Sequence, residues 1–181
     1  MRVESGSGSA RSLVVAGIDP GTRRAGYCAL QVSGQDLKVL RMTSFPVRGA
    51  TIAERLDCLG AKLAEHLEQY EPLVMVGVEN GYVGRNPRTS LVTGLARGVA
   101  VFVASSTTQA EVELVDPSEA RSACGVARFG IQRKAVKQEV LLAITRLLRP
   151  KKAPDEDAAD AAACAVWAAS RVWRLNVATV N

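Results

Sequence analysis

The chain has 181 residues, 48% hydrophobic and 23% charged, with a formal net charge of +5 and a pI near 9.3. That is the size and composition of one globular domain with a real core, which excludes disorder of the whole chain. No uninterrupted apolar run approaches the ~20 residues of a membrane helix. A single histidine excludes two-histidine zinc motifs, and four cysteines without a C-x-x-C pair read as reduced intracellular thiols.

Residues 1–11, rich in Ser and Gly, lack a signal-peptide core and read as a flexible tail. Residues 13–19 (LVVAGID) form an apolar run stopped by Pro20-Gly21, a buried strand followed by a turn. Residues 25–32 and 37–45 follow as strands joined through Ser33-Gly34-Gln35, an antiparallel three-stranded opening. The clearest helix spans 51–70. Thr51 and Glu54 make a capping box, and Ile52, Leu56, Leu59, Leu63 and Leu67 recur as one stripe. His66 reads as part of that helix's charged face. Residues 73–79 (LVMVGVE) are a buried strand ending in a carboxylate.

A loop over 80–88 leads to a helix capped by Thr89 or Ser90 and running to about 104. Gly94, Ala96 and Gly98 make it small-sided, suited to packing on the sheet or on a second copy. A short strand at 113–116 precedes Asp116-Pro117-x-Glu119, which offers a cap, a first-turn proline and an acid. A basic loop at 125–130 leads to an amphipathic helix over 132–148, broken by Pro150. The last helix spans about 157–173, with Ala and Cys facing in. The order β-β-β-α-β-α-β-α-α predicts an α/β fold, a mixed β-sheet flanked by helices. It forms a single domain over 12–175, between tails at 1–11 and 176–181.

Three features stand apart from this scaffold. Asp19 ends the first strand, Glu79 ends the fourth, and Asp157 and Asp160 share one face at the start of the last helix. A carboxylate at the end of a buried strand is costly unless it is paired or binds metal. Plain alternatives exist: Asp19 as a turn former, Glu79 as a solvated loop residue, the late acids as helix-dipole partners. Jointly, four carboxylates without His or Cys partners make an all-oxygen set suited to Mg²⁺ or Mn²⁺. Two such ions can activate water and stabilise the leaving oxygen of a phosphodiester. Beside these acids, residues 118–152 hold nine Lys/Arg against two acids, whereas 153–160 hold four acids and no base. Phosphate-gripping groups thus adjoin a carboxylate cluster that would otherwise repel phosphate.

The segment Gly17-Ile18-Asp19-Pro20-Gly21-Thr22-Arg23, with Gly26-Tyr27, resembles the first motif of RuvC-type Holliday-junction resolvases. Val78-Glu79-Asn80, with Tyr82 and Asn86, resembles their second. Residues 94–100 (GLARGVA) resemble the helix that follows, and 157–161 (DAADA) the closing motif. The likeness covers roughly residues 13 to 170, in order. It implies a ribonuclease H-like fold and a cytoplasmic homodimer that cuts four-way DNA junctions by paired symmetric nicks. Branch-migration motor proteins are candidate partners, and no membrane is involved. It further implies Asp19, Glu79, Asp157 and Asp160 as catalytic acids holding two Mg²⁺ ions per active site, with Asp19 bridging both and Mn²⁺ able to substitute. Tyr82 would stack at the junction centre. Arg121 and Lys134 would lie near the family's lysines at the scissile region. Arg85, Arg128, Arg133 and Lys137 complete the expected DNA-binding set. Arg121 for Lys, Asn80 for Gln and Cys28 for Gly depart from the family's pattern without removing an acid. Two other readings stand beside this one. The first is a related nuclease acting on other branched DNA or on RNA. The second is an actin-like ATPase, suggested by Asp19-Pro20-Gly21-Thr22 but lacking a second such loop.

Overall fold

The computed structural model describes residues 12–70, 72–81, 87–126 and 133–178, without the side chains of 133, 134 and 174–178. The tail at 1–11 lies outside the described residues. In chain order the elements are β1 (Leu13–Asp19), β2 (Arg24–Ser33), β3 (Asp36–Pro46), α1 (Ile52–Glu68), β4 (Leu73–Glu79), α2 (Pro87–Thr107), β5 (Glu111–Val115), α3 (Pro117–Ala123), α4 (Arg133–Leu148) and α5 (Glu156–Ala178). The five strands form one sheet in the order β3-β2-β1-β4-β5. The β1–β2 and β2–β3 pairs are antiparallel, whereas β1–β4 and β4–β5 are parallel. This is the mixed sheet that the sequence predicts, with helices on both faces.

Side-chain alternation along each strand divides the interior in two. On one face Val15, Cys28, Leu30, Met75 and Val115 pack beneath α5, joined by Ala120 of α3 and Val140 and Ile144 of α4. On the other, Ala16, Ile18, Tyr27, Val76 and Val78 pack beneath Leu59, Leu63 and Leu67 of α1 and Ala96, Ala100 and Ala104 of α2. The capping box at Thr51 and Glu54 is present as predicted. All four cysteines are free.

The α5 face is built for close approach. A Cβ on Gly17 would lie 2.1 Å from the Ala161 carbonyl oxygen and 2.3 Å from the Ala165 nitrogen. On Gly26 it would lie 1.9 Å from the Asp157 oxygen, and on Gly77 2.9 Å from the Cys164 oxygen. These glycines belong to adjacent strands, since Gly17 pairs with Gly77 in β4, and Gly26 is the β2 partner of Asp19. The helix above them answers with small residues. Ala158, Ala159 and Ala161–Ala165, Cys164 among them, are all buried.

Several expectations are corrected. His66 is buried, not on a charged surface. It stacks on Tyr27 with ring centroids 5.0 Å apart and lies against Phe45, on the sheet face away from α5. Burial lowers its pKa. The second long helix starts at Pro87 rather than Thr89 or Ser90 and runs to Thr107. By length and composition it reaches what a membrane span requires, a match hidden in the sequence by interspersed Gly, Ser and Thr. Asp116 caps α3 through its backbone, while its carboxylate accepts from Asn80 Nδ2 at 3.1 Å. α5 continues through Ala178, past the start assigned to the C-terminal tail.

The glycine floor makes a testable contrast. Gly17→Ala should cost more than about 3 kcal/mol in urea unfolding, because backbone rather than a flexible side chain blocks the new methyl. Gly60→Ala, mid-helix in α1 and 3.5 Å from its nearest neighbour atom, should instead gain about 0.5–1 kcal/mol.

Candidate active site

Gly17 and Asp19 point to the same face of β1, as do Gly77 and Glu79 on β4, because side chains repeat every two residues. The parallel pairing sets Ile18 beside Val78, so the two carboxylates emerge side by side where the strands end. Asp160, on the first turns of α5, is brought down to them by the glycine floor. Single oxygens of Asp19, Glu79 and Asp160 all lie within 4.8 Å of one another, and each residue is half-buried.

Crowding like charges in a half-dry site favours protonation. Burial, followed by the charge of Glu79 and a hydrogen bond shared with it, holds the Asp19 carboxyl well above the usual range. Asp160 and Asp157 add to this. Burial and Glu79 push Asp160 up to about 6, partly offset by Lys137. Lys137 Nζ donates to Glu156 at 3.0 Å and sits 3.6 Å from Asp160 Oδ2. Burial opposes the charge on Lys137, yet these acids together keep its pKa above the usual value.

The three acids open into a cleft of about 760 Å³. Arg97 of α2, Arg121 of α3 and Lys137 of α4 line the same cleft, together with Thr89, Ser90 and Thr93. Carboxylates and cations thus face one space. An anionic strand can be held there by the cations while divalent ions sit on the acids. The donor set fits such ions. It is all oxygen and carries repulsion that a bound dication would relieve.

The predicted site residues divide as follows. Asp19, Glu79 and Asp160 converge. Asp157 does not join them; its Oδ2 accepts from Arg24 Nε at 2.9 Å. Arg121 and Lys137 line the cleft. Tyr82, Arg85 and Arg128 lie outside the described residues, as do the side chains of Arg133 and Lys134. Arg97 was missed in the sequence. Its Nη2 donates to the Gly81 carbonyl at 2.7 Å, tying α2 to the chain just after Glu79, and its buried Nε has no hydrogen-bond partner among the described residues. A signal existed: Arg97 is the sole charged residue between Arg88 and Glu111.

Comparison with known proteins agrees with this architecture. The family model for crossover junction endodeoxyribonuclease RuvC matches residues 15–168. The crossover junction endodeoxyribonuclease RuvC of Psychromonas ingrahamii is 31% identical over 153 residues, 84% of each chain. That of Polynucleobacter necessarius is 34% identical over 163 residues, covering 89% of this chain and 90% of the relative. In structure, the chain resembles Thermus thermophilus RuvC solved in complex with a Holliday junction substrate, with a TM-score of 0.73 and 24% identity over 91% of this chain and 96% of that one.

The charge crowding predicts a pH signature in protein kept free of metal by chelator. A carboxyl whose pKa is raised by folding stabilises the fold while protonated, and that contribution is lost as pH rises through about 6. Asp160→Asn, which removes the charge and leaves Lys137 its Glu156 partner, should therefore melt higher than wild type at pH 7.5. The gain should be about 5 °C, shrinking as pH falls through about 6 and vanishing only below the ordinary carboxyl value of 3.8, by differential scanning calorimetry.

Proposed function

The chain belongs to the RuvC family of crossover junction endodeoxyribonucleases, and on that premise we propose that it resolves four-way DNA junctions by divalent-metal-dependent phosphodiester hydrolysis. The observation that carries this is the meeting of Asp19, Glu79 and Asp160 within 4.8 Å, in a cleft shared with Arg97, Arg121 and Lys137. The resemblance to a RuvC solved on a Holliday junction supports the substrate class.

Asp19, Glu79 and Asp160 would hold Mg²⁺, with Asp157 available for a second ion, and Mn²⁺ could substitute. Bound there, such ions would supply an activated water and charge stabilisation at the leaving oxygen. The chain's own work is positioning. Arg121 and Lys137 hold phosphates of the strand against the acids, contacts that are blind to sequence. Lys137, 3.6 Å from Asp160, also favours the ionised form of that carboxylate, offsetting part of what burial and Glu79 do against it. Arg97 anchors Gly81, where the chain leaves Glu79 towards Tyr82 and Arg85, which would meet the branch point. The apolar side of the cleft, Ala120, Val136 and Val140, limits water around the strand.

The active unit is a homodimer whose two clefts nick opposing strands of a two-fold junction. Leu91, Leu95 and Phe102 are 67%, 45% and 72% exposed along one stripe of α2. Gly94 and Gly98 open space between them, with no described neighbour outside the helix's own backbone within 4 Å of where a Cβ would stand. A second copy of the chain fits this face, because close helix approach needs small residues flanked by apolar ones.

Asp19→Asn should reduce incision of a synthetic four-way junction at least about a thousandfold while junction affinity stays within threefold, and chelation of divalent ions should reproduce the loss in wild type. Incision of flaps or RNA–DNA hybrids in preference to junctions would instead favour the related-nuclease reading. Phe102→Glu should convert the dimer to monomer in analytical ultracentrifugation and abolish paired nicks. A dimer that survives both this change and Leu95→Glu would exclude α2 as the interface.

A further inference from the structure

Asp157 is turned to an arginine rather than to the three clustered acids. Arg24 Nε donates to its Oδ2 at 2.9 Å, and Nη2 of the same guanidinium reaches Asp155 Oδ2 at 2.7 Å. Nη2 also donates to the Ser44 hydroxyl, which itself donates to Asp155. Asp155 is fixed in turn, because its Oδ1 accepts from the Ala158 nitrogen at 3.0 Å and so caps α5. Arg24 is thus tethered by β3 and the helix cap, independently of Asp157. The Asp157 backbone is held over Gly26, which leaves side-chain rotation as its freedom. Its charge already reaches the cluster, since it raises both Asp19 and Asp160.

We propose that Arg24 is a positioning residue that holds Asp157 back from the carboxylate cluster and so makes uptake of two divalent cations stepwise. This rests on the reading of that cluster as a metal site. Asp19, Glu79 and Asp160 are already gathered for the first cation. The second recruits Asp157, which must exchange the Arg24 Nε for the ion. Opening that bond is easy. The Arg24 and Asp157 side chains are 50% and 29% exposed, and ion pairs so solvated are weak. The guanidinium stays on Asp155 and Ser44 throughout, so no charge has to leave the site. Arg24 therefore weakens the second step selectively and modestly.

Titration of Mn²⁺ into the full, DNA-free chain by calorimetry, with electron paramagnetic resonance counting bound ions, tests this. Arg24→Ala should tighten the second step about fivefold and leave the first within twofold. A second ion that registers only in the variant reads the same way. Arg23→Ala removes an equal charge at the exposed neighbouring position and should change neither step beyond twofold. A second step unmoved by Arg24→Ala, or both steps tightened alike by both variants, would overturn the role of Arg24 while leaving the metal site standing. Absence of any Mn²⁺ uptake that Asp160→Asn abolishes would overturn the metal site itself.

Discussion

The contact on which this molecule turns is backbone against backbone, where α5 lies on Gly17, Gly26 and Gly77. Any side chain at these positions would lift the helix off the sheet. With the helix down, Asp160 reaches the height of two strand-end carboxylates that the two-residue period and parallel pairing have already set side by side. The site is thus a product of sheet geometry and helix height, not of long side chains folding into place. Short acids on rigid elements lose little freedom when they bind an ion, which suits a centre that must hold two reacting oxygens in line.

That geometry has an electrostatic cost. Three carboxylates share a half-buried corner, and the carboxyls of Asp19 and Asp160 resist ionisation. The fold tolerates this because the packing around the corner is dense and apolar, with Ala159, Ala161 and Ala163 fully or almost fully buried. Cations around the cleft offset part of the repulsion, Lys137 most directly. A bound dication offsets more, so ion binding and stability are coupled in the same residues. Such local strain at a working site, carried by the stability of the rest, is the usual trade between function and stability.

Much of this was legible from the chain alone. The apolar run before Asp19 and the one before Glu79 mark buried strands ending in acids, and the pattern of elements implies the mixed sheet. Thr51 and Glu54 announce the start of α1 because capping is a local interaction. What escaped notice depends on distant or ambiguous partners. The Arg24–Asp157 bond joins residues 133 positions apart, and no periodicity signals it. The start of α2 at Pro87 was obscured by polar Thr89 and Ser90, both good caps that here lie within the helix. His66 was legible and misread. It falls three residues after Leu63 on the apolar stripe, but the surrounding Lys62, Glu65 and Glu68 suggested a solvated face. Arg97, the one charge beyond the first turn of an apolar helix, was a signal of function that only the structure located in the cleft with the acids.

The central claim is that Asp19, Glu79 and Asp160 jointly seat a divalent cation. Anomalous diffraction from crystals soaked in Mn²⁺ addresses it without reference to activity. The account predicts a peak ligated by one oxygen from each of the three side chains, with the strand ends and α5 unmoved. Peaks confined to surface acids, or an α5 displaced so that Asp160 no longer faces Asp19 and Glu79, would contradict it.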